Sequence, residues 1–448
     1  MKLSLDNFIH DTKILNQLIL KLLNYAKYKT DGIEITINKN FGINLNVRHC
    51  KLENIEFNNN NISYITIYYK NRKSIVSSTD LTYSSMTNII DHGINIAKHS
   101  SLDKDCFMVD RSLLAFNFKV IDLFFPFCFD INKALNFAIN SEISALNYNS
   151  KIINTEGSSF SSNISYLLFG NSNYMIGSYY SSMHSISTSV ISKSKKGMER
   201  DYDYTISRDI LDLKSPEDVG KESARKALLK LSPCKIKTTK LPVIFSSDIS
   251  YSLFSHLAES IDGNKVYLKS TFLLNDFDTQ IFPSWLNILE EPHINKGLGS
   301  KPFDKEGVRT QPNNIVLNGF IRTLLLNNYS ANKLNLKSTG HSSGIHNWLI
   351  STCKITFKQL LNKMHKGLLI SELMGQGVNY MTGDYSRGAS GFLIENGVIK
   401  HPVKEITIAG NLKFIWRNII SISNDDINMN HKIRCGSILL SSLNISGY

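Results

Sequence analysis

Apolar residues recur at helical spacing at the start of the chain. Within residues 5–27, Ile14, Leu15, Leu18, Leu22 and Leu23 mark one face of an amphipathic helix, and the alternation from Gly32 to Asn38 predicts a strand. Short strands are predicted over 41–49, 53–58, 63–69 and 73–78, and helices over 81–98 and 131–147. From 151 to 208, Gly, Ser and Asn punctuate runs such as Ile164–Phe169 and Tyr174–Tyr180, the pattern of a β-meander. Ser215-Pro216-Glu217-Asp218 reads as a helix start: a capping hydroxyl, a proline at the first turn, and two acids facing the helix dipole. That helix runs to Leu231, before Ser232-Pro233.

Seven of the nine prolines lie at or after Pro233, beside the basic linker Lys235–Lys240. This break divides the chain into an N-terminal α+β domain (1–234) and a β-rich C-terminal domain with a few helices (235–448). In the second half, 242–247 is a strand and Ile249–Ile261 a helix. VLNGFI and LIENGVI are hairpins turning on Asn318-Gly319 and Asn396-Gly397, since Asn-Gly accepts two positive φ angles. The fold class is α+β, with no 20–50-residue repeat.

Composition narrows the function class. With 42% hydrophobic and 20% charged residues the chain is a folded protein, and Asn, Ile, Lys and Ser are abundant, as in an AT-rich coding genome. The net charge of +12 is spread along the chain, clustering only at Lys193–Arg200 and Lys235–Lys240 and without interleaved aromatics. That is a solvated surface rather than a nucleic-acid groove. Six cysteines without a C-x-x-C pair read as reduced thiols of a cytoplasmic protein. The first residues carry Asp6 and Asp11 and no apolar run, unlike a signal peptide, and the most apolar stretch (113–129) is broken by Lys119, Asp122 and Pro126, so no membrane partner is expected.

Chemistry concentrates in 372–411, which holds seven glycines: Gly375, Gly377, Gly383, Gly388, Gly391, Gly397 and Gly410. Asp384, Tyr385 and Arg387 lie among them, on what reads as a glycine-shaped loop; an Asp384–Arg387 ion pair holding that loop is the plainer alternative. Generic motifs fail here. Tyr380 stands where a dinucleotide-binding G-x-G-x-x-G needs its third glycine, and Gly388-Ala389-Ser390-Gly391 is one residue off a nucleophile elbow. His341 and His346 sit five apart and could reach one metal or one substrate carboxylate, against the alternative of hydrogen-bonded loop histidines. His256 stands on the 249–261 helix with Glu259 three residues on, which is too few ligands for an autonomous zinc site.

Read together, ENIEFN (53–58), NRKSIVSSTDL (71–81), NTEGSSF (154–160), MERDYDYTISRD (198–209), VYLKSTFLL (266–274), EGVRTQ (306–311), KSTGHSSGIHNW (337–348), ELMGQGVNYMTGDYSRGASGF (372–392), EITIAGNL (405–412) and RCGS (434–437) resemble the TldD/PmbA family, in its PmbA (TldE) branch. The resemblance covers nearly the whole chain. It implies membership of a zinc-dependent peptidase in which a TldD-type and a PmbA-type subunit enclose a chamber and trim unfolded peptides, as in leader-peptide removal and antitoxin turnover. The TldD-type chain carries H-E-x-x-x-H, whose two histidines and a later cysteine bind zinc and whose glutamate is the general base. By position His256 matches the first histidine and Cys435 the cysteine, while Leu257 and Ile261 replace the glutamate and the second histidine. His256 and Cys435 are then vestigial metal positions. The chain alone holds no metal or other cofactor, and zinc belongs to a TldD-like partner in a heterodimer or larger assembly, with a homodimer where that partner is missing. Extended peptides or the partner would meet His341, His346, Asp384, Tyr385 and Arg387, with Gly375, Gly377, Gly383, Gly388 and Gly391 shaping the loop. Two alternatives stay open: an autonomous metallopeptidase with a relocated site using His341, His346 and Cys435, and a non-enzymatic modulator of DNA gyrase.

Overall fold

A computed structural model describes residues 5–127, 130–425 and 431–448. Helix α1 (Leu5–Ala26) buries Leu15, Leu18, Ile19, Leu22 and Leu23. Ile14, expected on that face, is 55% exposed, and Ile19 takes its place. Strands β1 (Gly32–Arg48), β2 (Lys51–Tyr68) and β3 (Lys73–Ser78) follow, then α2 (Tyr83–His99) and α3 (Ile131–Leu146). Next come β4 (Ile152–Asn171), β5 (Ile176–Ser194), β6 (Gly197–Ser207) and α4 (Pro216–Leu229), whose cap Ser215 accepts from the Asp218 amide at 3.1 Å. The six strands form one antiparallel sheet in the order β3-β2-β1-β4-β5-β6.

The expected short strands near the N-terminus are in fact two long ones. Asn58–Asn61 has a turn composition, yet it pairs continuously with Lys39–Gly42. The turn that joins β1 to β2 uses no glycine or asparagine: His49 (φ 51°) and Cys50 (φ 57°) both adopt left-handed backbone. The fully buried Glu142 of α3 holds it, accepting from the His49 and Cys50 amides at 3.0 and 2.6 Å. A tertiary hydrogen bond thus overrides local turn chemistry.

The second half supplies β7 (Thr239–Phe245), α5 (Ser247–Ser260), α6 (Gly263–Tyr267), β8 (Ile288–Glu291), β9 (Asn313–Leu317), β10 (Phe320–Ile321), α7 (Asn328–Lys333), β11 (Asn347–Ile350) and α8 (Phe357–Met364). It ends with β12 (Gly367–Met374), β13 (Asp384–Glu395), β14 (Val398–Asn411), α9 (Leu412–Arg417), β15 (Ile419–Ile422), β16 (Ile433–Arg434) and β17 (Ile438–Ser446). One sheet runs β10-β9-β8-β11-β16 and another β14-β13-β12-β7-β17-β15. Since β14 also pairs with β17, five strands of the latter close on themselves, leaving β15 outside the ring. Closure removes the exposed edges at which sheets aggregate. Both Asn-Gly turns adopt the expected backbone: Asn318 φ 53°, Gly319 φ 83°, Asn396 φ 54° and Gly397 φ 69°.

The two halves touch extensively. Asp103 and Asp105 share Lys333 at 2.8 and 2.9 Å, and the buried Arg208 donates to the Gly297 and Leu298 carbonyls at 2.9 and 3.1 Å. Phe303 packs among Phe118, Phe169 and Tyr179. The link from α4 to β7 crosses residues 230–238, where Cys234 pairs with β14 through the Pro402 carbonyl. No disulfide joins the described cysteines, and Cys128 lies outside the described residues. No described helix is long and apolar enough to cross a membrane.

Glu142→Ala strands two buried amides in a left-handed turn. It is expected to lower stability by ~2–4 kcal/mol, read as a fall in thermal midpoint, with Glu142→Gln in between; an unchanged midpoint in both would discard this account of the turn.

Candidate functional site

A cavity of about 600 Å³ separates β6 and α4 from α5, β12 and β13. β6 is the edge strand of its sheet, and its residues 200–204 line this cleft. Six lysine and arginine side chains line it too, and five are ion-paired: Arg200 with Glu156, Lys214 and Lys226 with Asp203, Arg225 with Glu222, and Lys230 with Asp201 and Glu372. Burial pulls Lys226 down, but Asp248 and Asp203 outweigh it and hold the amine above its ordinary value. Arg387 is the sixth. Among the described residues no carboxylate pairs with it, and its Nε is buried without a partner.

Arg387 is not on a loop. With Asp384 and Tyr385 it belongs to β13, and Gly388 and Gly391 are strand residues as well. Successive strand residues face opposite ways, so Asp384 points out to Thr382 (2.6 Å) while Tyr385 and Arg387 share the inward face. The anticipated Asp384–Arg387 ion pair does not form. Tyr385 is 1% exposed, with its hydroxyl turned to the Arg387 guanidinium. Burial raises its pKa despite the guanidinium of Arg387 beside it.

His256 stands across from them on α5, its ring 5.9 Å from that of Tyr385 and its Nδ1 3.0 Å from the Tyr380 hydroxyl. Its Nε2 is buried and unpartnered. Burial and then the positive charge of Arg387 push the imidazole down to about 4, so it is neutral at physiological pH. Leu257 and Ile261 are 0% exposed, packed into the main core with Leu253 and Phe254. Cys435 is also buried, with its carbonyl accepting from Ser250. Among the described residues His256 belongs to no cluster of three metal-ligating side chains.

His341 and His346 lie apart from the cleft, both buried. The Glu290 carboxylate of β8 gathers them, taking His341 Nε2 at 2.6 Å, the His346 amide at 2.9 Å and the Trp348 indole at 2.9 Å. Burial raises Glu290, but the hydrogen bond from His341 and the neighbouring imidazoles prevail and hold it low. Burial drives His346 down to about 4. Ligand atoms of Glu290, His341 and His346 lie within 4.8 Å of one another, close enough to share an ion, and Cys435 is not among them. The side chains of His341 and Glu290 are 0% exposed. Sequence reasoning missed Glu290 because nothing at position 290 marks it out; only the sheet pairing of β8 with β11 brings it to the histidines.

The chain matches two family models: the PmbA/TldA metallopeptidase central domain over residues 126–231, and the C-terminal domain of the same description over 238–447. It is 47% identical to the Metalloprotease PmbA of Escherichia coli O157:H7 across 97% of this chain and 96% of that protein. The chain belongs to the PmbA/TldD metallopeptidase family, in its PmbA branch. Solved structures share the fold: a candidate modulator of DNA gyrase from Bacteroides thetaiotaomicron, with TM-score 0.91, 24% identity and 97% and 99% coverage of the two chains, and TldE from Thermococcus kodakarensis, with 0.81, 18%, 96% and 100%.

Within this family fold the glycine-rich segment does backbone work. Gly375 (φ 77°) and Gly383 (φ 80°) need left-handed backbone. Gly377 and Gly391 are close approaches, where a Cβ would sit 1.6 Å from the Ser386 carbonyl and 1.9 Å from the Leu369 carbonyl; Gly391 faces the bulge in β12. At Gly388 the nearest contact is the Met374 side chain at 3.3 Å, with ordinary strand backbone. Gly377→Ala and Gly391→Ala are therefore expected to cost ~2–4 kcal/mol and Gly388→Ala under ~1 kcal/mol. Chemical denaturation checks the ranking; equal costs at all three positions would contradict it.

Proposed function

We propose that this chain is the non-hydrolysing subunit of a TldD/PmbA-type peptidase, which holds an extended peptide for a zinc-bearing TldD-like partner. The carrying observation is the state of the His256 helix. Where the family's TldD-type chains place the base and second histidine, this chain has Leu257 and Ile261, both sealed in the core. A single imidazole bound to Tyr380 can neither hold a catalytic zinc nor activate water.

The cleft supports a holding role. Its wall includes residues 200–204 of β6, the edge strand of its sheet, where a peptide can add as a further strand, and strand addition is tolerant of sequence. Arg387 of β13 lies on the opposite wall. The buried group Glu290, His341 and His346 favours a second reading, a relocated metal site. With its side chains sealed from solvent, an ion there would be structural, since neither water nor substrate reaches it.

The protein purified alone is expected to contain below ~0.1 zinc per chain and to leave unfolded peptides intact, with hydrolysis appearing when the TldD-like subunit of the same organism is added. Elemental analysis and a peptide-cleavage assay read both. Bound zinc without hydrolysis would point to Glu290, His341 and His346 as a structural site; zinc with hydrolysis by the chain alone would overturn the proposal.

A further inference from the structure

Two lysines at the end of α4 each hold two carboxylates, one from either wall of the cleft. Lys226 sits 2.9 Å from Asp203 of β6 and 3.0 Å from Asp248 in the first turn of α5. Lys230, the cap residue of α4, sits 3.0 Å from Asp201 of β6 and 2.6 Å from Glu372 of β12. The two contacts of each lysine differ in depth. On β6 the side chains of Asp203 and Asp201 are 4% and 12% exposed, whereas on the far wall those of Asp248 and Glu372 are 47% and 40% exposed. A buried carboxylate that loses its cation bears the cost of desolvation, while a half-exposed one returns to water. When the walls part, each lysine therefore stays with β6, and only the contacts to Asp248 and Glu372 break. The helix dipoles permit this. Lys226 lies in the last turn of α4 and Asp248 in the first turn of α5, so each charge keeps a favourable helix end without the other.

These contacts stand where the proposed peptide would lie. Asp201 and Asp203 belong to the stretch 200–204 of β6 that lines the cleft, and at both points one ammonium group fills the space between opposing carboxylates. A strand added to β6 needs ~4.8 Å of separation from it, together with room for its own far edge. We infer that Lys226–Asp248 and Lys230–Glu372 form an ionic latch across the cleft, which has to release before a peptide can pair with β6. This rests on the peptide-holding role proposed above and adds a gate to it. The closed cleft excludes the peptide, and the free energy of opening is subtracted from the peptide's affinity. Being half-exposed on one side, the two latch contacts are also screened by salt, more than the deeper pairs on β6.

The test uses the full chain and a short unstructured peptide of alanine, serine and threonine with both ends blocked, so that the peptide brings no charge to the cleft. Asp248→Asn combined with Glu372→Gln removes both far-wall carboxylates and leaves Asp201 and Asp203 in place. By calorimetry at low salt the double variant should bind this peptide at least ~3-fold tighter than the wild type. Raising the salt to ~0.5 M should tighten binding by the wild type towards that value and leave the double variant unchanged. Arg225→Gln, which breaks an ion pair internal to α4, should keep the wild-type affinity at low salt. Binding by the double variant alone would be the latch in its strongest form. Equal or weaker binding by the double variant, or wild-type affinity that does not rise with salt, would each overturn the latch while leaving peptide holding intact. The salt series needs no substitution, so it decides the matter even where the double variant folds poorly. Absence of binding by every form, alone and in complex with the TldD-like subunit, would overturn peptide holding as well.

Discussion

The packing of α5 over the closed sheet constrains the rest of the C-terminal half. Leu253, Phe254, Leu257 and Ile261 fill one core with the strands beneath and with Trp416, whose indole donates to the Leu253 carbonyl at 3.2 Å. Each fully buried aliphatic side chain contributes ~1.5–3 kcal/mol, so this face contributes several kcal/mol to the stability of the C-terminal half. It is also the face onto which metal-binding side chains would have to project. A carboxylate at 257 or an imidazole at 261 would enter a hydrocarbon core without partners, at a cost comparable to the stability of a whole domain. In this chain positions 257 and 261 of the helix serve packing.

His256 lies instead on the helix flank, where α5 meets β13. There the surroundings change from hydrocarbon to Tyr380, Tyr385 and Arg387, which are donors and one cation. Such an environment disfavours a metal ion, since the neighbouring guanidinium opposes a divalent charge, and it favours an anion for the same reason. The electrostatics of the cleft sharpen the contrast. Two of its other cations hold α4 and β6 against α5 and β12, Lys226 spanning Asp203 and Asp248 and Lys230 spanning Asp201 and Glu372. Those two lysines bridge the cleft, and Arg387 alone among the cations lining it has no carboxylate partner among the described residues.

Much of this could be read from the residues, and the failures have identifiable causes. The helix starts at Ser215 and the two Asn-Gly hairpins were legible because cap and turn chemistry is local. The long β1–β2 hairpin was not: its turn depends on Glu142, 92 residues away from Cys50, and a run of asparagines reads as loop until a partner strand fixes it. For the same reason His341 and His346 were visible as a pair while Glu290, which decides their role, was not. The glycines drew attention to the right segment and for the right backbone reasons. They serve turns and close approaches, and the polar groups that face α5 come from the strand that follows.

Tyr385 shows where sequence reading stops most clearly. Its type and position gave no sign of direction, and whether residues 384–387 formed a loop or a strand decided everything about it. As a loop, Asp384 and Arg387 would face each other and cancel. As a strand, the two-residue period sends Asp384 to solvent and puts Tyr385 and Arg387 together on the inner face. The uncompensated charge in the cleft is therefore a consequence of backbone conformation: the same four residues, folded as a turn, would have neutralised themselves.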